Sequence, residues 1–212
     1  VDPMSDKYSN MSPYNYCANN PVILVDPDGR DYETVIDEIA WTITIKAVYY
    51  TKNSNRERLK DAISVWNGQS GKYEVVVGEG DNKKKYTVNF ELTIADGDFK
   101  TDTEASAAIP NQRKNSNFFE VDDNMDSDHR GESGGVNAHV RPDGLFRTDV
   151  HEIAHTLGVG EGTNGVMLQG GFSEKIRKEH VMSILDHSGA NLSGSTWGSC
   201  EKSEVAKTIN ID

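Results

Sequence analysis

Thr148 to Gly171 reads TDVHEIAHTLGVGEGTNGVMLQGG, and the helix it implies decides the fold. With Phe146 just upstream, the apolar residues Val150, Ile153, Ala154 and Leu157 recur at helical spacing. That stripe predicts an amphipathic helix over about 145–157, one face of which must be buried. Gly158 stands where a left-handed residue ends a helix and turns the chain back. The polar residues on this helix spell His151-Glu152-Ile153-Ala154-His155. Residues at i and i+4 share a face, so both imidazoles can reach one ion. Zinc suits such a pair, because it accepts neutral imidazole and tolerates an open position for water. Glu152, beside that water, is placed to take its proton and pass it on to a leaving amine.

A buried helix needs a surface to lie on, and the upstream sequence supplies one. Trp41 to Thr51 is β-branched, aromatic and alternating, which predicts a strand. Asn55 to Trp66 reads as a helix, with Leu59, Ala62, Ile63 and Trp66 on one face and Gly68 just past its end. Tyr73–Val77 and Tyr86–Ile94 read as the strands of a hairpin, with Lys83-Lys84-Lys85 as a solvated loop near its turn. Phe118–Val121 and Val136–Val140 read as two more short strands, while the polar stretch from Ile94 to Phe118 predicts no element. A last helix is expected over about 173–186, with Ser173 as its N-cap. The expected class is α+β: a twisted mixed sheet, an active-site helix and a C-terminal helical subdomain. Trp41, Trp66 and Trp197 are expected to be core or packing residues.

At 212 residues the chain is about one domain long and can bury roughly 70% of the surface its unfolded form exposes. Residues 1–30 are set apart from 31–212 by turn signals such as Asn19-Asn20-Pro21 and Asp26-Pro27-Asp28-Gly29, with only Val22–Val25 strand-like. The net charge of −12, from 34 acids against 22 bases, argues against nucleic acid and anionic membrane as partners. No apolar run is long enough to predict a membrane span. The first residues do not resemble a signal peptide, so an export address is expected outside this chain. Cys17 and Cys200 can either bridge or remain two unrelated thiols; no C-x-x-C pair suggests a structural metal.

Taken together, His151-Glu152-x-x-His155-x-x-Gly158-x-x-Glu161 followed by Gly165-Val166-Met167 resembles the metzincin zinc endopeptidases. The resemblance implies His151 and His155 as zinc ligands, Glu152 as general base, Gly158 as the residue that redirects the chain, and Met167 as the methionine of the turn under the metal. It implies Glu161 as third ligand, a position where the family usually carries His or Asp. Carboxylate oxygen is a legitimate zinc ligand, though its charge makes the ion a weaker acid than three imidazoles would. The resemblance further implies substrate laid along an edge strand that precedes the active-site helix, with Val136–Val140 and Phe118–Val121 as candidates. A gluzincin arrangement is the alternative, with Glu174 or Glu179 on the last helix as third ligand.

Asp122-x-Asn124-x-Asp126-x-Asp128 has the alternation of a calcium loop without the glycine and glutamate of an EF-hand. Its readings are a Ca2+ site or an acidic solvated loop. His129, His139, His180 and His187 are expected as ordinary core or surface histidines.

Residues 2–30 resemble the end of the Rhs-repeat-associated core of bacterial polymorphic toxins. Its mark is Pro, four residues, then Asp-Pro-x-Gly: here Pro21, Asp26, Pro27 and Gly29. Arg30 stands where that family often has an aliphatic residue. This resemblance implies that 31–212 is the effector of a secreted, cell-surface or injected bacterial protein. Its partners would be a peptide or protein substrate, the Rhs core of the parent chain and an immunity protein. The expected activity is zinc-dependent endopeptidase. A catalytically silent zinc-containing binding module and a cell-wall peptide amidase are the alternatives from other classes.

Overall fold

The computed structural model describes residues 32–77, 83–110, 115–125, 131–134, 136–162, 165–167 and 175–187, with the backbone of 209–210. Residues 1–30, Cys17, Cys200, Ser173, Glu174, His129 and Trp197 lie outside the described residues, as do Asp126 and Asp128 of the acidic loop and the side chain of His187.

The organising strand is β2 (Thr42–Tyr50), whose alternation is expressed directly. Ile43, Ile45, Ala47 and Tyr49 are fully buried, while the residues between them are half-exposed. Along one side β2 pairs in parallel with β4 (Lys84–Ile94), from Thr42 to Tyr49. Its other side is divided between β1 (Glu33–Asp37, antiparallel) and β5 (Ser116–Val121, parallel). Beyond β4 lie β3 (Tyr73–Val77) and the short β8 (Ile209–Asn210), both antiparallel to their neighbours. Beyond β5 lie β7 (Asn137–Val140), parallel to it, and then β6 (Gly131–Gly134), antiparallel to β7. The order is β6-β7-β5-β2-β4-β3-β8, a mixed sheet in an α+β fold.

Among the described residues, β6 therefore forms the edge beside β7. Neither Val136–Val140 nor Phe118–Val121 is the edge strand, contrary to expectation, because β7 is flanked by β5 and β6, and β5 by β2 and β7. Gly-Glu-Ser-Gly has no apolar alternation to reveal it.

The apolar face of the sheet is covered by helices. α1 (Arg56–Asn67) buries Leu59, Ala62, Ile63 and Trp66. α3 (Phe146–Thr156) buries Val150, Ile153 and Ala154 completely. Val181, Ile184 and Leu185 of α4 (Lys178–His187) enter the same core. Phe146 departs from the predicted stripe: at the first position of α3 it stays 37% exposed.

One further expectation is narrowed and two are corrected. Trp41 packs at the margin rather than in the core: it takes a left-handed φ of 54°, is 41% exposed, and lies against the ring of Tyr86 and beneath the ammonium of Lys84. Lys84 and Lys85 belong to β4 rather than to a loop, with their side chains solvated. The stretch from Ile94 to Phe118 contains α2 (Asp102–Ala107), capped by Thr101, whose hydroxyl accepts from Glu104 N at 3.2 Å. Glu104 reaches back to accept from Lys100 N, so Thr101-x-x-Glu104 closes the helix start from both directions.

Candidate metal centre

Three contacts hold α3 in place before any chemistry is considered. Arg58 of α1 grips Asp149 with both arms: Nε donates to Oδ2 at 2.7 Å and Nη2 to Oδ1 at 2.6 Å. Asp149 is almost wholly enclosed, and its burial pushes the carboxyl above its ordinary range while Arg58 pulls it down. Trp66 Nε1 donates to the Val150 carbonyl at 3.2 Å. Under the far end of α3, Thr156 Oγ1 donates to Ile153 O and is therefore the acceptor for Tyr49 OH, at 2.8 Å in each case. Burial raises the Tyr49 phenol well above its usual range, so it stays protonated and can donate.

The end of α3 is built as expected. Gly158 takes φ 84°, its N–H donates to His155 O, and Val159 N–H donates to Ala154 O. Those two bonds make a Schellman turn, which only a left-handed residue at Gly158 permits without strain. The turn has a second effect: it carries the Val159 carbonyl to 2.7 Å from His155 Nδ1.

Val166, in the 3-10 turn Gly165–Met167, does the same for the other histidine, its carbonyl lying 2.9 Å from His151 Nδ1. A carbonyl only accepts, so each Nδ1 carries the proton and each Nε2 presents a lone pair. Val166 O also accepts from Arg147 Nη2 at 2.9 Å, while Val166 N–H donates to Lys175 O, so the turn is tied down at both faces. Met167 is fully buried in that turn.

His151 Nε2 and His155 Nε2 are 3.0 Å apart, and Glu161 Oε1 lies 3.4 Å from His155 Nε2 and 3.8 Å from His151 Nε2. Atoms with separations of 3.0, 3.4 and 3.8 Å lie on a circle of radius about 2.0 Å, a length at which imidazole nitrogen and carboxylate oxygen bind transition metals. Two lone pairs aimed at each other across 3.0 Å, with a carboxylate oxygen close by, form a receptor for a cation. Burial holds the imidazole of His151 below its ordinary pKa, which keeps it in the neutral form that ligates. His151, His155 and Glu161 can thus hold a metal ion, and they are the one such cluster among the described residues. Glu161 is the most open of the three, its side chain 60% exposed.

Glu152 is in the neighbourhood without belonging to the cluster. It is buried, and its carboxyl packs against the backbone of β6 at Gly131. Glu179 is exposed on α4 and outside the cluster, so the alternative third ligand has no support at that residue. His139 pairs with Glu120 across β7 and β5 at 3.1 Å, and His180 is buried, its Nδ1 accepting from Arg177 N at the start of α4. In the described part of the acidic loop, Asp122 Oδ1 accepts from Asn124 N, a local turn that gives no support to a calcium site.

The residues that sequence reasoning missed are the supporting ones. The Val159 and Val166 carbonyls have no side-chain signature, and Arg58 and Asp149 are too far apart in sequence to be paired by pattern. Comparison of the chain with protein-family models, with curated proteins and with solved structures gave no match.

Proposed function

We propose that residues 31–212 act as a zinc-dependent endopeptidase of metzincin type, the effector portion of a larger secreted or injected bacterial protein of the Rhs kind. One observation carries the reading: a His151–His155–Glu161 triangle of metal-binding size on whose helix Glu152, next to His151 in sequence, is a buried carboxylate outside the triangle. A structural metal site has no need of the second carboxylate, whereas hydrolysis does. Two neutral imidazoles and one carboxylate suit zinc, which binds such atoms at about 2.0–2.2 Å. Zinc held there would supply Lewis acidity towards a peptide carbonyl and towards the attacking water.

The chain's own groups account for the rest. The Val166 and Val159 carbonyls orient the ligand histidines, Glu161 completes the set, and Glu152 takes the proton of the attacking water and delivers it to the departing nitrogen. The outer side of β6 has no strand partner among the described residues, so an extended peptide can align there beside Glu152. The Rhs assignment, and with it the immunity partner, rests on Pro21, Asp26, Pro27 and Gly29.

The test is Glu152→Gln in the full chain, with a fluorescent unfolded protein as substrate and zinc counted by atomic absorption. Hydrolysis should fall at least ~100-fold, as for loss of a general base, while zinc stays near one per chain. Hydrolysis by the variant at the wild-type rate would overturn the reading.

A further inference from the structure

Gly131 opens β6, and its glycine identity is not explained by its backbone, which is absent from the left-handed positions. Space explains it. A β-carbon at Gly131 would lie 2.8 Å from both Cγ and Cδ of Glu152, and nearer still to Oε1. Carbon atoms in good contact sit about 3.5–4.0 Å apart, so one of the two residues would have to move. Neither backbone gives way easily, so the movement falls on the Glu152 side chain. Glu152 projects from the middle of α3, where Val150, Ile153 and Ala154 are fully enclosed. Gly131 is held in register opposite buried Val140 of β7.

We propose that Gly131 is a positioning residue: the side chain it lacks is the space that the Glu152 carboxyl occupies. The inference deepens the peptidase reading and rests on it for the role given to Glu152, though the contact itself stands independently. The edge strand and the proton-carrying carboxyl touch directly, so a substituent on the strand is felt at once by the acid. Any side chain at 131 displaces that carboxyl by several tenths of an ångström or more. Displacements approaching 1 Å cost on the order of 100-fold in rate.

Two measurements on the full chain test it. The first is kinetic. Gly131→Ala should lose about 100-fold in kcat, with KM and zinc content near wild type. Combined with Glu152→Asp, which withdraws the carboxyl by one methylene, it should cost little more than Glu152→Asp alone. A Gly131→Ala enzyme with kcat within twofold of wild type overturns the proposal, as does a loss fully additive with Glu152→Asp.

The second is thermal and needs no activity. In metal-free protein Gly131→Ala should lower Tm by about 5 °C through overpacking. In a Glu152→Ala background it should be neutral or slightly stabilising, because alanine restricts the unfolded chain. Equal effects in both backgrounds overturn the contact. Failure of the peptidase reading would show separately, as wild-type hydrolysis by Glu152→Gln, and leaves the thermal comparison to decide the contact.

Discussion

Arg58→Met is the sharpest perturbation available away from the metal cluster. It keeps the aliphatic length of the side chain and removes the guanidinium that meets Asp149 through two hydrogen bonds of 2.6 and 2.7 Å. Asp149 is 1% exposed, so water cannot replace what is lost. Breaking a buried ion pair from one side costs about 3–5 kcal/mol. Arg58 itself is 23% exposed, which sets the expectation at the lower end, about 3 kcal/mol or roughly 6–12 °C in Tm for a domain of this size. The effect should depend on pH in a defined direction. Without Arg58, the native Asp149 pKa rises further above its unfolded value. The penalty is then complete above the raised native pKa and vanishes as the pH falls below the unfolded value of about 3.9. Urea denaturation followed by circular dichroism at neutral pH and near pH 4 measures both. Adding Asp149→Asn should recover much of the loss at neutral pH, since the stranded charge is gone. A loss below about 1 kcal/mol, or one that does not shrink on acidification, would refute the reasoning.

Other outcomes follow from the same geometry. Glu161→Ala should release the metal, Glu161→His should restore it, and Glu179→Ala should leave it unchanged; equilibrium dialysis with zinc or cobalt reads all three. In metal-free protein the lowered pKa of His151 gives a stability contribution that is present above the ordinary value of 6.5 and lost as the pH falls through the native one. Urea midpoints should therefore drop on acidification below about pH 6.5, and less so in His151→Gln. Gly158→Ala forces alanine to φ 84° and should cost about 1–2 kcal/mol, with weaker metal binding because the Val159 carbonyl shifts away from His155.

How far the fold and the site could be read in advance follows from where the information lay. Periodic segments with one buried face were legible: β2, α1 and α3 fall within a residue or two of their expected limits. β6 was illegible because its glycines carry no alternation, although it supplies the edge. α2 left a usable mark in Thr101-x-x-Glu104 that its polar composition obscured. Trp41 suggested a core position by its residue type, but the turn after Asp37 leaves it at a positive φ, packed on Tyr86 at the surface. At the site, the His151–His155–Glu161 cluster was legible because its members are close in sequence and chemically distinctive. The groups that orient them were not, being backbone carbonyls, or pairs such as Arg58–Asp149 and Tyr49–Thr156 separated by 91 and 107 residues.

The closeness of the three candidate ligands has a thermodynamic consequence. His151, His155 and Glu161 lie within eleven residues of chain, so a denatured chain retains all three donors on a short, easily closed loop. A metal that also binds the unfolded state stabilises the native state only by the difference between the two affinities. What folding adds is orientation: the carbonyls of Val159 and Val166 and the left-handed turn at Gly158. Linkage between a bound ion and the fold would therefore be weaker here than in a site assembled from distant strands. The α+β core is closed by contacts that do not involve these three side chains, so a chelator should strip a bound ion without melting the sheet.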